Sequence, residues 1–435
     1  MFVLLSILSG ISFLNEILGF AMQHFSQKDF TILLGNAVDH FDTSIYAFLA
    51  PVMAPLFFPH TDPVVGLIMA YSIFATSIIT RPFGTYIFGM IAKISGPSRA
   101  LSYSLIGVGI ATFLIGTLPD HNKIGVMAPV LLILLRMMRE IFAAGESAIA
   151  KLYILQDKSE SEAFKNSYLY QTSTICGIAF ASLAATFVHY LDMENSWRMV
   201  FFFGGIAAVI GYILRNNAEA RLEKKSKIIF QFYNISGIKI LWKYKVDLLH
   251  IAIINSFSHL TYAIPFVTMN YLIPLISDIE LKTMMIMNSV MLVFDMIAIP
   301  LIGNFVSRFK PNTIMFTASW VLALTITPIW YFLEGSSIIY VSFVRFWIII
   351  WGIIFLCPLN IWCNSQIKGD EKYLVVGIGT TLGASIVGKM APAFSLFLYY
   401  KTGSYMSIAL CIATMFAIAA LLLRNDNIRH KKITG

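Results

Sequence analysis

Asp39, His40 and Asp42 crowd into the stretch GNAVDHFDTSIYAFLAP, which runs from Gly35 to Pro51 between apolar segments. Asp39 and Asp42 are three residues apart, so on a helix they share a face. Two close carboxylates near hydrocarbon can take up and release protons near neutral pH. The structural alternative is that one of them caps or pairs with a neighbouring helix. Eight more charged residues interrupt apolar runs: Arg81, Arg136, Arg139, Glu140, Glu146, Asp295, Arg345 and Lys389. A charge within a membrane span costs a few kcal/mol on insertion scales, so such groups face a partner or a wet cavity. Arg136 and Glu140 are spaced as an i,i+4 pair, and Arg139 and Glu146 are seven apart on one face. The eight histidines show no ligand spacing, and HExxH, GxSxG and paired-metal patterns are missing from the sequence. No metal, no cofactor and no enzymatic chemistry is expected.

The elements that must position these groups are membrane spans. Of 435 residues, 58% are hydrophobic and 12% charged, where a soluble domain carries roughly a quarter charged residues. A span needs about 20 mostly apolar residues. Twelve runs qualify: 31–58, 64–90, 100–118, 125–150, 167–190, 197–214, 247–276, 283–307, 312–332, 337–360, 373–400 and 403–423. The polar stretch 215–246 divides them six and six. With the segment before the first span placed inside the cell, 22 of the 31 Lys and Arg residues fall on that side and four outside. This is a strong positive-inside bias, so both termini are expected in the cytoplasm. The net charge of +8 is spread in short bursts between apolar runs, which argues against nucleic acid as a partner. The run Arg221–Lys227 reads as a solvated loop against anionic lipid. The four cysteines lie in apolar runs without a CxxC pair and read as small buried hydrophobes.

Two six-span halves joined by a basic cytoplasmic loop is the layout of the major facilitator superfamily. The opening stretch, followed by LAPVMAPLFFP, resembles the first span of its metabolite:proton symporter branch, which includes the proline/betaine transporters. Asp39, Asp42 and Tyr46 stand at that pattern's acidic, Asp and Tyr positions, and His40 replaces a Trp. ITRPFGTYIFG, the run from Ala111 to Ser147, and SWRMVFF continue the match in order. Arg136, Gly145 and Glu146 fit the motif of span four, while Arg139, Glu140 and Ala144 depart from it. The second half matches loosely, so Arg345 and Lys389 read first as structural charges. The branch carries a gating loop G-x-x-G-D-r-x-G-R-k after span two. Here Gly89, Gly96 and Arg99 remain, but Lys93 stands where the Asp belongs and Pro97 where an Arg belongs.

The resemblance implies an all-α membrane protein of twelve transmembrane helices, carrying a small organic solute with protons across a bacterial inner membrane. Residues 31–214 and 247–423 are expected as the two halves, 215–246 as the linker, and 424–435 as a cytoplasmic tail. Residues 1–30 form an N-terminal segment, of which 1–21 is expected to lie outside the bundle, with Met22 an alternative start. Counted along the helices at 1.5 Å per residue, Asp42 and Arg136 each lie roughly 16 Å deep in a core about 30 Å thick. Asp42 is thus the expected proton carrier, with Asp39 in support and Glu146 on the inward path. Arg136, Arg139 and Tyr46 are the expected solute site. An organic-acid carrier, using Arg136 or Arg139 as the anion clamp, is the alternative within transport. A transport-impaired homologue, suggested by the altered gating loop, is the alternative outside it.

Overall fold

The computed structural model describes residues 27–59, 62–95, 97–155, 160–191, 195–219, 235–367 and 371–434. The expectations for residues 1–21, for Met22 and for most of the linker lie outside them. Among the described residues the chain is helical throughout. Six rods precede the linker: α1 (Gln27–Phe57), α2 (Pro63–Ser72, Ile73–Thr76 and Ser77–Ser95), α3 (Pro97–Thr117), α4 (Met127–Leu155), α5 (Glu160–Leu191) and α6 (Trp197–Glu219). Six follow it: α7 (Lys245–Ala263, Ile264–Thr268 and Met269–Ile276), α8 (Leu281–Val306), α9 (Pro311–Tyr331), α10 (Ile338–Ser365), α11 (Glu371–Leu382, Gly383–Gly388 and Ala391–Thr402) and α12 (Met406–Thr434).

Nine of these rods are long and apolar enough to cross a membrane by length and composition alone. The charges in the middle of α1 and α4, and the shorter apolar run of α6, set those three apart. The helices outrun the apolar stretches read from the sequence. α5 starts at Glu160 and α12 continues to Thr434, because backbone hydrogen bonding continues past the end of the hydrocarbon. Local signals set several helix starts. Asp62 accepts a hydrogen bond from the Val64 amide at 2.8 Å, with Pro63 at the first helical position.

The two sixes pack by the same plan. α1 lies on α5 and α3 on α6; six helices later, α7 lies on α11 and α9 on α12. The backbones of the first pairs touch through glycine. A Cβ at Gly177 of α5 would sit 2.0 Å from the Ala37 carbonyl oxygen of α1, and one at Gly383 of α11 would sit 2.3 Å from that of Ala252 on α7. Small residues allow such close approach where lipid supplies no hydrophobic drive between helices. A buried asparagine accompanies each contact. Asn36 donates to the Tyr170 carbonyl of α5 at 3.2 Å, and Asn255 donates to the Thr380 carbonyl of α11 at 2.8 Å. Between the sixes, α5 packs on α8 and α2 on α11.

Three rods are not continuous α-helix. α2 tightens to a 3₁₀ turn at Ile73–Thr76, while α7 and α11 widen to π turns at Ile264–Thr268 and Gly383–Gly388. The turns of α2 and α11 are in contact, and the turn of α7 meets the last part of α11, Ala391–Thr402. Such turns are frequent at functional sites, and these converge beside the buried charges.

Candidate functional site

α1 carries Asp39, Asp42 and Tyr46 on one face, and α4 sets Arg136, Arg139 and Glu140 against it. Arg139 is fully buried. Its Nε donates to Asp42, and its Nη2 donates to Asp39 Oδ1 at 2.7 Å and to the Asp39 carbonyl at 2.8 Å. Its Nη1 donates to Glu140 Oε1 at 3.2 Å. The planar fork of a guanidinium spans the two aspartates at once in a fixed geometry that an ammonium's point charge lacks. The Thr112 hydroxyl of α3 donates to the other Asp42 oxygen.

Glu140 is the second node. Its Oε2 accepts from Arg81 Nε of α2 at 2.7 Å and from Lys389 Nζ of α11 at 2.6 Å. Lys389 follows directly on the π turn of α11, where its own amide reaches back to the Ala384 carbonyl at 2.9 Å. The Glu140–Lys389 pair therefore ties the first six helices to the last six.

Arg136 is different. Its nearest carboxylate oxygen, on Glu140, is 3.7 Å away, inside ion-pair range but beyond a hydrogen bond. Nε, Nη1 and Nη2 all lack a hydrogen-bond partner, although the residue is 1% exposed. The guanidinium lies 4.6 Å from the Tyr46 ring centroid and 5.3 Å from that of Phe74, within cation–π range. Tyr46 is pinned in turn, since its hydroxyl donates to the Ala70 carbonyl at 2.7 Å. Tyr71 donates to the Ala47 carbonyl at 2.8 Å, and its ring meets Tyr271 of α7 at 4.9 Å. In this cluster four cations, Arg81, Arg136, Arg139 and Lys389, face three carboxylates, Asp39, Asp42 and Glu140. One positive charge is left over, and Arg136 is the group with open donors.

The structure brings together Asp39, Asp42, Arg136, Arg139 and Tyr46 among the residues singled out from sequence. One pairing is corrected: Asp42 meets Arg139, whereas the depth count paired it with Arg136. Three residues amount to about 4.5 Å of helix, less than one turn and within the error of counting depth from a helix end. Arg139, expected to hold solute, has its donors occupied by carboxylates. Glu146 is buried on α4, about 9 Å along the helix from Glu140. Of the gating-loop residues, Gly89 and Lys93 fall on the second long segment of α2 and Arg99 is exposed in the first turn of α3. The side chain of Lys93 and the whole of Gly96 lie outside the described residues. Lys389 is the residue that sequence reasoning left aside. Its signal was the charge balance, since an acid and a base buried in different halves need one another.

Comparison with known proteins agrees with this architecture. The Major Facilitator Superfamily profile matches residues 32–386. The proline/betaine transporter of Salmonella typhimurium is 32% identical over 191 residues, covering 43% of this chain and 38% of the relative. The match thus spans well under half the length of that relative. The alpha-ketoglutarate permease of Escherichia coli is 24% identical over 410 residues, covering 90% of this chain and 92% of the permease. The E. coli shikimate transporter is 25% identical over 417 residues, covering 90% and 93%. The E. coli xylose transporter XylE, in a partially occluded inward-open conformation, superposes with a TM-score of 0.69 at 13% identity, covering 92% of this chain and 97% of that one. A repeated six-helix plan, membrane-spanning rods and a match over most of the length carry one conclusion: the chain belongs to the Major Facilitator Superfamily.

Proposed function

We propose that this protein is a proton-coupled carrier that brings a small solute with one free carboxylate into the cell, in the class of proline, glycine betaine and related metabolites. The observation that carries the reading is Arg136, a buried cation with three open donor nitrogens in a cluster that holds one positive charge too many. A single carboxylate fills both needs. The relatives named proline/betaine transporter match about two-fifths of the chain and support the solute class.

The positive-inside bias supports cytoplasmic termini and insertion in a bacterial inner membrane. Residues 31–214 and 247–423 then act as the halves that rock about the midplane site. In that orientation α2 and α11 meet at their outer segments, Pro63–Ser72 on Ala391–Thr402, and also at their inner ones, Ser77–Ser95 on Glu371–Leu382. Asp42 suits the proton role because Arg139 keeps Asp39 and Glu140 when Asp42 is neutralised. Neutralising Glu140 would instead strip Arg81 and Lys389 together. Asp39 is the supporting acid, and Glu146 stands on the inward path.

An organic-acid carrier is the second reading, favoured by the relatives named alpha-ketoglutarate permease and shikimate transporter, which match over nine-tenths of the chain. The charge count separates the cases within it. A second solute carboxylate would need Arg81 or Lys389, and both are already bound to Glu140. One carboxylate is therefore expected. Thermal melting of the purified full-length protein with free acids and with their methyl esters tests this. A free acid at about 100 times its Kd should stabilise the fold by about 2.7 kcal/mol, and its ester by far less. Equal protection by acid and ester would remove Arg136 from the carboxylate role.

A further inference from the structure

α10 buries an arginine that the charge cluster does not use. Arg345 sits seven residues into α10 and is fully buried. Its Nη2 donates to Asn288 Oδ1 of α8, while Nε and Nη1 have no hydrogen-bond partner. No carboxylate pairs with it among the described residues. Asp295, the one acid on α8, stands seven residues beyond Asn288, about 10 Å along the helix. A guanidinium keeps its charge in proteins, and a buried charge needs a counter-charge.

The surroundings define what is left open. Asn288 turns its oxygen to Arg345 and its Nδ2 to Ser182 Oγ of α5, at 3.1 Å. Ser182 Oγ lies 2.9 Å from Ser289 Oγ, and Thr186 Oγ1 lies 3.1 Å from the same oxygen. Ser289 and Thr186 both reach the Met285 carbonyl at 3.2 Å. With the Asn288 amide donating into this chain, the hydroxyl protons run from Ser182 to Ser289 and end on that carbonyl. The network is satisfied within itself, and Asn288 Oδ1 is the oxygen it gives to Arg345. What remains is one positive charge with two open donor nitrogens and no fixed anion. A small monovalent anion matches that charge and accepts a charge-assisted hydrogen bond from Nε or Nη1.

We infer that Arg345 binds a small monovalent anion, either chloride or the carboxylate of an incoming solute, behind the seam where α5 meets α8. Arg345 and Asn288 each lie about 10 Å from the start of their helices, so they stand at one depth. In the orientation proposed above this is the outer side, and the seam parts when the halves open outward. The route therefore rests on the carrier reading. The site itself does not, since it shares no partner with Arg136.

Thermal melting of the purified full-length protein at constant ionic strength tests this. Sodium isethionate, a bulkier sulfonate, is exchanged stepwise for sodium chloride or for sodium acetate. Arg136→Gln is the background, which silences the solute site. In it, chloride, acetate or both should raise the melting temperature saturably by a few degrees as the anion reaches about 100 times its Kd. Chloride alone identifies the free ion, and acetate alone a carboxylate. Asn288→Asp supplies the counter-charge from within, so it should melt at least as high in isethionate and lose the response. Arg345→Met, which removes the charge at similar volume, should lose it too. No response to either anion, or an undiminished response in Asn288→Asp or Arg345→Met, overturns the inference. A response present in wild type and lost in Arg136→Gln also overturns it, and leaves Arg136 standing as the carboxylate site. If Arg136→Gln does not fold, wild type and Asn288→Asp carry the test: their responses should differ by that shift, and equal responses overturn the inference.

Discussion

Arg139→Gln is expected to abolish transport and to destabilise the fold by about 3–5 kcal/mol, the range for removing one partner of a buried ion pair. Arg139 is the cation of both Asp39 and Asp42 and is itself fully buried. Glutamine would leave two carboxylates facing one another in the middle of the bundle. Glu140 survives the change, since Arg81 and Lys389 still hold it. The damage is therefore local to α1 and α4, and a lower melting temperature in detergent should accompany the loss of uptake. Arg139→Lys should recover little, because an ammonium lacks the planar fork that places Nε and Nη2 donors on two residues at once. Normal melting in Arg139→Gln would mean that the α1–α4 ion pairs do not support the fold.

Asp42→Asn is expected to behave in the opposite way, with the fold kept and the coupling lost. Asparagine still offers an oxygen to Thr112 or to Arg139, and Arg139 retains Asp39 at 2.7 Å and Glu140 at 3.2 Å. What disappears is a carboxyl group that can gain a proton without stripping its cation. With one proton per solute, a gradient of one pH unit is worth about 1.4 kcal/mol and supports about tenfold accumulation. In Asp42→Asn proteoliposomes that ratio should fall to about one, while labelled solute still exchanges across the membrane. Accumulation retained in this variant would take the proton role away from Asp42.

The helical, membrane-spanning character was legible because hydrophobic length is a strong signal, and it marks nine of the long helices among the described residues. The clustering of Asp39, Asp42, Arg136 and Arg139 was legible in kind, since charges in apolar runs must find partners. Which charge meets which was not. Asp42 finds Arg139 through a displacement of less than one turn, finer than any depth counted from a helix end. The partner of Lys389, Glu140, was not legible for a different reason. The π turn at Gly383–Gly388 changes the register of α11 just before it, so helical periodicity read from the sequence misplaces that side chain. Arg345 needed coordinates too, because its partner is a neutral asparagine, Asn288, which no count of charges can find.

Proton movement driven by solute is the most direct test of a proton-coupled carrier. Proline or glycine betaine would be added to weakly buffered proteoliposomes containing the wild-type protein, with no imposed gradient, while the external pH is followed. Symport predicts that the outside becomes alkaline as solute enters, and that a protonophore abolishes the change. Entry of either solute with no pH change would contradict the account.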